Sequence, residues 1–317
     1  MAALQWTDRI GRRLKPRDLH IFMVAVEHGN ISKAADSLAI SRPVVSKTIA
    51  GLEHTLGVPL LDRSPQGVEL TLYGRALLKW AVAVFDDLRQ GVKEIEFLAD
   101  PNSGEVRVGC TETMTAGLVS AVIDRLCRRH PQLVFQMQLG EPDILQTHFL
   151  RARQCELVIA RMLAPTPEPD MDAEALFKEQ FFVVTGLRNK WFGRRKVSLA
   201  ELVDETWILA QREIESGSPI VEAFRAIGLG MPRARILSDS LNLRNSLLET
   251  GRFLTVVPGS VLRFGPKRTL FKVLPIELPR WPYPVAIITL KNRTLSPVAQ
   301  LFIECARAVT RPLVTGK

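Results

Sequence analysis

The 317-residue sequence exceeds what one ordinary core encloses, so two or three folding units are expected. With 46% hydrophobic and 24% charged residues it reads as neither a disordered polar chain nor a membrane protein, and no apolar run approaches the roughly 20 residues of a bilayer span. The opening MAALQWTDRIGRRLK has no signal-peptide core, which leads us to expect a cytoplasmic protein, and the net charge of +9 is compatible with nucleic-acid binding without locating it.

Leu19, Phe22, Met23 and Val26 recur at helical spacing and the run stops at Gly29-Asn30, which predicts a first helix. Ser32 is placed to cap a short second helix whose Ala34 and Ala35 admit a close neighbour. Ser41-Arg42-Pro43 reads as an N-cap followed by proline in the first turn of a third helix. Val45, Ile49, Leu52 and Leu56 face inward there, leaving Arg42, Val44, Ser46 and Lys47 outward or near the leading end. Gly57 stops the helix, and Leu60-Leu61 and Val68–Leu70 bracket Ser64-Pro65-Gln66-Gly67 as a two-stranded wing.

From Arg75 to about Leu98 no proline intervenes, and Leu77, Ala81, Val84, Leu88, Val92, Ile95 and Leu98 form an apolar stripe. An amphipathic helix packed on its own domain is the plainer reading, but a position between two separable domains favours a helix-to-helix seam between copies. Asp100-Pro101-Asn102-Ser103-Gly104 marks a hinge. Strands at Val106–Gly109, Val134–Leu139 and Leu157–Ala160 alternate with helices near Leu118–Arg129 and Ile144–Arg153, predicting an α/β unit with a mostly parallel sheet. A proline-rich crossing, Ala164–Asp170, leads to a second series: strands Phe181–Thr185, Trp207–Ala210 and Phe253–Val257 with helices Pro219–Ile227 and Ser240–Thr250. A second crossing near Pro275–Pro284 precedes strand Val285–Thr289 and helix Pro297–Val309. The expected domains are a winged helix-turn-helix over 14–74, a linker helix over 75–99, and a two-lobed domain over 104–317, with lobe I at 104–163 and 278–317 and lobe II at 164–277.

The run Gly29 to Gly74 resembles the DNA-binding domain of LysR-type transcriptional regulators. It has the paired alanines, the Ser-x-Pro-x-x-Ser start of the recognition helix, Leu-Glu-x-x-Leu-Gly and a closing Leu-Thr-x-x-Gly. ETGRFLTVVPGSV and KNRTLSPVAQLFIE further resemble the galactose-binding-protein regulator branch of that family. The resemblance implies an all-α winged reader, a long linker helix and a bilobed α/β domain similar to type II periplasmic binding proteins. It also implies double-stranded operator DNA and a small-molecule effector as partners, with self-association to a dimer and on to a homotetramer; RNA polymerase is a further candidate partner. Arg42 stands where family members often carry Gln, and Pro65-Gln66 where many carry a basic residue, so an operator cannot be borrowed from relatives.

A helix exposing Arg42, Pro43, Val44, Ser46 and Lys47 suits the major groove, where Arg donates to a guanine edge. Ser32 and Ser41 sit where hydroxyls and free helix N–H groups can hold phosphate, with simple capping as the blander alternative, and Arg63 and Gln66 are expected on the flanking backbone or in the minor groove. For effector binding the candidates are Thr111 and Thr113, which open a helix, Glu141 and Arg161 at strand ends, and Gln211 and Ser218 across the cleft. For Arg161 a structural ion pair weighs as much as ligand contact. Two helix N-termini at a cleft favour an anionic or polyhydroxylated effector such as a sugar or organic acid.

An enzyme is the main rival, but His20, His28, His54, His130 and His148 make no metal-ligand spacing, no GxSxG elbow occurs, and Gly228-x-Gly230 alone is no dinucleotide loop. Cys110, Cys127, Cys155 and Cys305 show no CxxC pair, so buried reduced thiols and neither metal nor other cofactor are expected.

Overall fold

The computed structural model describes residues 13–64, 67–265, 271–281 and 283–314. The chain divides into two compact units, Met1–Arg89 and Gln90–Lys317.

In the first unit α1 (Pro16–His28) starts on a proline and stops where Gly29 turns left-handed, at φ 60°. The cap of α2 (Ile31–Ser37) is Asn30, whose Oδ1 accepts from the Ser32 and Lys33 N–H groups at 2.8 and 3.2 Å. This corrects the expectation that Ser32 caps α2: Ile31 is already helical, so Ser32 is one of the capped donors. Ser41 is the N-cap of α3 (Arg42–Leu56), and Gly57 ends that helix at φ 74°. Ala34 and Ala35 are buried beside Phe22, Ala25, Val45, Ile49 and Leu52, so small side chains in α2 let three helices share one core.

Two of the sequence motifs hold this unit together. Glu53 accepts the Leu60 and Leu61 N–H groups at 2.9 and 3.3 Å, fixing the start of β1 (Leu61–Ser64) against α3. β1 pairs antiparallel with β2 (Gly67–Leu70). A side chain at Gly67 would collide with the Gly29 carbonyl, to which Val68 donates at 2.9 Å, so the wing is pinned to the end of α1. The Thr71 hydroxyl accepts from Gly74 N–H at 3.0 Å and donates to the Pro59 carbonyl at 2.7 Å, and a Cβ at Gly74 would lie 2.0 Å from the Leu60 carbonyl oxygen. This turn starts α4 (Leu72–Ala99), three residues ahead of the expected Arg75. Along α4 Trp80, Val84, Leu88, Val92, Ile95 and Leu98 are all exposed, Trp80 to 68%. Among the described residues no helix is long and apolar enough to cross a membrane.

The second unit is built on two five-stranded sheets. β3 (Ser103–Cys110) leads into the composite helix α5, made of Glu112–Met114, a π-helical turn Thr115–Val119 and Ser120–Cys127. β4 (Gln132–Leu139), α6 (Pro142–Ile144 continuing as π-helix Leu145–Leu150), β5 (Leu157–Arg161), β6 (Met171–Phe177) and β7 (Phe181–Gly186) follow. Next come β8 (Trp207–Leu209), α7 (Pro219–Ala226), β9 (Ala234–Leu237), α8 (Leu241–Glu249), β10 (Leu254–Pro258), α9 (Gly259–Phe264) and β11 (Phe271–Val273). β12 (Val285–Leu290) and α10 (Pro297–Val314) complete the unit.

The sheet orders are β4-β3-β5-β12-β6 and β11-β7-β10-β8-β9. Each combines parallel with antiparallel ladders, β12 running against β5 and β6 and β7 against β10 and β11, so the sheets are mixed rather than mostly parallel. β6 pairs with β12 along its length, which returns residues 171–177 to the first lobe. The chain therefore crosses at 178–180 and not at 164–170 as expected. Proline composition marks a loop; it does not say which sheet the next strand joins. Near the crossing, Glu179 is buried and accepts the Ser260 N–H and hydroxyl at 3.1 and 2.6 Å. α9 packs on the π-helical turn of α5, where a Cβ at Gly117 would press on the Ser260 backbone at 3.0 Å. Cys110, Cys155 and Cys305 are buried free thiols, whereas Cys127 is exposed, contrary to the expectation for all four. Burial pushes the Cys155 thiol up to about 11.

Candidate nucleic-acid interface and effector cleft

The leading end of α3 is exposed. Ser41, Arg42, Pro43, Val44 and Lys47 lie in solvent and Ser46 is half-buried, while Val45 and Ile49 between them are fully buried. Ser41 contributes its carbonyl to the Val44 and Val45 N–H groups, and its hydroxyl makes no capping bond. The helix thus presents a guanidinium, an ammonium, a free hydroxyl and an apolar Pro43-Val44 edge on one surface, a set able to contact phosphate, base edges and thymine methyls. Ser32 is half-buried at the start of α2. Arg63 holds its place on β1 opposite Val68, and Gln66 lies outside the described residues.

In the second unit a cavity of about 320 Å³ opens between the lobes. Parallel β3, β4 and β5 end on it from the first lobe, bringing Thr111, Thr113, Glu141 and Arg161 to its wall, and β8 and β9 end on it from the second, bringing Ala210 and Asp239. Strand ends of open α/β sheets gather at such clefts because the loops and free helix N–H groups lie there. The Thr111 and Thr113 hydroxyls are 3.1 Å apart at the start of α5. Two expected residues are absent from the wall. Gln211 is exposed outside it, and Ser218 is buried, donating to the Glu213 carbonyl at 2.6 Å and capping α7 through Val221 N–H. Ser218 does stand at a helix start as expected, but that helix does not face the cleft.

Residues not expected from the sequence also line the cavity, and one that is expected, Arg161, has an unusual setting. Arg244 of α8, 2% exposed, makes a two-pronged pair with Glu213 at 3.0 and 3.2 Å and donates to the Ser238 carbonyl at 2.8 Å. Arg212 reaches from the second lobe to Glu141 at 3.2 Å and Asp143 at 3.0 Å in the first. Glu112 accepts the Leu241 N–H at 2.8 Å, so a first-lobe carboxylate sits at the N-terminus of second-lobe α8. Arg161 has Phe181 and Trp281 rings 5.1 and 5.6 Å from its guanidinium carbon, and burial lowers its pKa from the ordinary guanidinium value. A single cue points towards these residues, the position of Gln211-Arg212-Glu213 just after a strand; the long-range pairings leave no trace in local spacing.

The family model described as bacterial regulatory helix-turn-helix protein, lysR family, matches residues 16–75, and that described as LysR substrate binding domain matches residues 99–311. Among curated relatives, the HTH-type transcriptional regulator GbpR of Azospirillum brasilense is 29% identical over 299 residues, covering 94% of this chain and 87% of its own. The transcriptional dual regulator GltC of Bacillus subtilis is 26% identical over 288 residues, covering 91% and 95%. Among solved structures, CbnR, a LysR family transcriptional regulator, is matched with a TM-score of 0.61 at 21% identity over 94% of this chain and 100% of that one. Full-length OxyR from Pseudomonas aeruginosa is matched at 0.62 with 22% identity over 94% and 97%. These structural likenesses speak to the fold, and the two family models between them take in the reader and both lobes. The chain belongs to the LysR family of DNA-binding transcriptional regulators, with an N-terminal helix-turn-helix and an effector-binding substrate domain.

Proposed function

We propose that this regulator is a cytoplasmic homo-oligomer, not an enzyme, that reads its operator through the exposed start of α3 and is switched by a small molecule held between the lobes. The observation that carries this reading is the division of α3 into a buried face, Val45, Ile49 and Leu52, and an exposed leading end, Arg42, Pro43, Val44 and Lys47. Arg42 donates to a base edge, Pro43 and Val44 approach thymine methyls, and Ser41, Ser46 and Lys47 contact phosphate or neighbouring bases. Ser32, Arg63 and Gln66 contact the flanking backbone. A solved relative of the same fold, full-length CbnR complexed with its target DNA, supports this use of the reader.

The exposed stripe from Trp80 to Leu98 on α4 joins two copies, so that two readers engage half-sites roughly 34 to 36 Å apart. In the cleft Thr111, Thr113, Glu141 and Arg161 contact the effector, an organic acid or sugar, and closure of the lobes changes the spacing or angle of the paired readers. The test screens sugars, sugar acids and aromatic acids by thermal shift, then compares footprint and DNA bend with and without the stabilising compound. A shifted footprint or altered bend is expected. An identical footprint and bend at saturation would rule out this switch.

A further inference from the structure

Four carboxylates, from Glu112, Glu141, Glu213 and Asp239, and three guanidiniums, from Arg161, Arg212 and Arg244, line the cleft. Most already have partners. Arg244 is bound to Glu213, Arg212 to Glu141 and Asp143, and Glu112 to the N-terminus of α8, while Asp239 is exposed to water. Arg161 is different. Among the described residues no carboxylate lies within ion-pair distance of it, and its Nη1 is sealed from solvent without any acceptor. The buried carboxylate nearest in influence, Glu179, is taken up by the Ser260 N–H and hydroxyl. What Arg161 does contact is the two aromatic rings of Phe181 and Trp281. A cation held this way recovers only part of what it loses on leaving water, and it remains a strong docking point for an anion.

The surrounding wall limits the kind of anion. Leu139, Leu163, Phe181 and Trp281 are apolar, so the cavity takes an organic body and not a bare ion, and about 320 Å³ is at the small end of ligand pockets. Only one guanidinium is unmatched against the acidic residues, so a second negative charge would meet Glu112, Glu141 or Asp239 without a cation of its own. An uncharged sugar can offer hydroxyls to the part of the guanidinium that lines the cavity but cannot neutralise it.

We propose, resting on the cleft reading above, that the effector is a small organic monocarboxylate whose carboxylate docks on Arg161 and whose body lies against Leu139, Leu163 and Trp281. The planar guanidinium offers the carboxylate paired, charge-assisted donors, which a lysine cannot reproduce.

The test uses the full chain, with benzoate, gluconate and other monocarboxylates each paired with an uncharged analogue, benzamide and glucose among them, and with inorganic phosphate. Melting temperature and tryptophan fluorescence are read for the wild type and for Arg161→Gln, Arg161→Lys and Thr113→Trp, the last filling the cleft. At least one monocarboxylate is expected to bind, with its uncharged analogue and phosphate failing. Arg161→Gln should weaken binding at least tenfold and Arg161→Lys less. Without ligand, Arg161→Gln should melt no lower than the wild type, because it removes a half-buried charge that no carboxylate pairs. Equal binding of acid and uncharged analogue, or of the same acid by wild type and Arg161→Gln, overturns the monocarboxylate assignment; the cleft reading survives if Thr113→Trp still abolishes binding. A ligand indifferent to Thr113→Trp overturns the cleft reading itself. If no monocarboxylate binds, or if ligand-free Arg161→Gln melts several degrees lower, Arg161 is a structural cation and the proposal falls.

Discussion

The Glu112 carboxylate of the first lobe accepts the backbone N–H of Leu241, the first residue of α8 in the second lobe, at 2.8 Å. With Arg212 bridging to Glu141 and Asp143 in the opposite sense, the cleft is closed by one latch from each lobe. These contacts are partly exposed, so each contributes about 1 kcal/mol.

Loss of both latches should therefore loosen closure without unfolding either lobe. Spin labels on the exposed native Cys127 and on Ser216→Cys span the two lobes. Glu112→Gln combined with Arg212→Ala is expected to broaden and lengthen the distance distribution between them. An unchanged distribution would show that α9 and the crossings alone set closure.

The Arg244 and Glu213 pair behaves differently because both side chains are buried, 2% and 6% exposed. Arg244→Ala or Glu213→Ala leaves the remaining charge without its partner and should lower stability by about 3 to 5 kcal/mol in urea unfolding. Replacing both together, Arg244→Met with Glu213→Leu, should recover most of that loss. If either single substitution cost under about 1 kcal/mol, the pair would not be organising the second lobe's side of the cleft.

The pairing also shows where the sequence is legible and where it is not. The reader is legible because its determinants are local. Gly57 stops α3 at the expected place, Ser41 starts it, and the Leu-Thr-x-x-Gly motif closes on itself through Thr71 and Gly74. Even there Asn30 takes the cap expected of Ser32, since two nearby polar residues satisfy the same pattern. In the cleft, Thr111, Thr113, Glu141 and Arg161 follow from strand ends alone. Arg212 and Arg244 escape such reasoning because their partners lie 71 and 31 residues away, and residues 171–177 are expected in the wrong lobe, with no strand foreseen there, because the partner of β6, β12, is over 100 residues distant.

Burial pushes the Glu179 carboxyl above its ordinary value, against the pull of Ser260 and Arg161. The folded state then holds the proton more tightly than the unfolded chain. Stability from this group is full below the unfolded carboxylate pKa and declines as pH rises through the folded one. Glu179→Gln keeps an acceptor for Ser260 N–H and offers the hydroxyl a donor, so it should fold normally. The wild type should gain stability relative to Glu179→Gln as the pH is lowered from about 7 towards about 5. Parallel pH profiles for the two proteins would mean that Glu179 is ionised in both states.

The central claim is that the exposed start of α3 reads sequence. It is tested most directly by the ratio of Kd values for a selected operator and a scrambled duplex, measured at one salt concentration for the wild type and for Arg42→Ala. If Arg42 makes a two-pronged base contact, the substitution weakens operator binding by about 1 to 3 kcal/mol and leaves scrambled binding nearly unchanged, so the ratio moves towards one. An Arg42→Ala protein that binds both duplexes more weakly by the same factor, with its ratio intact, would contradict that role.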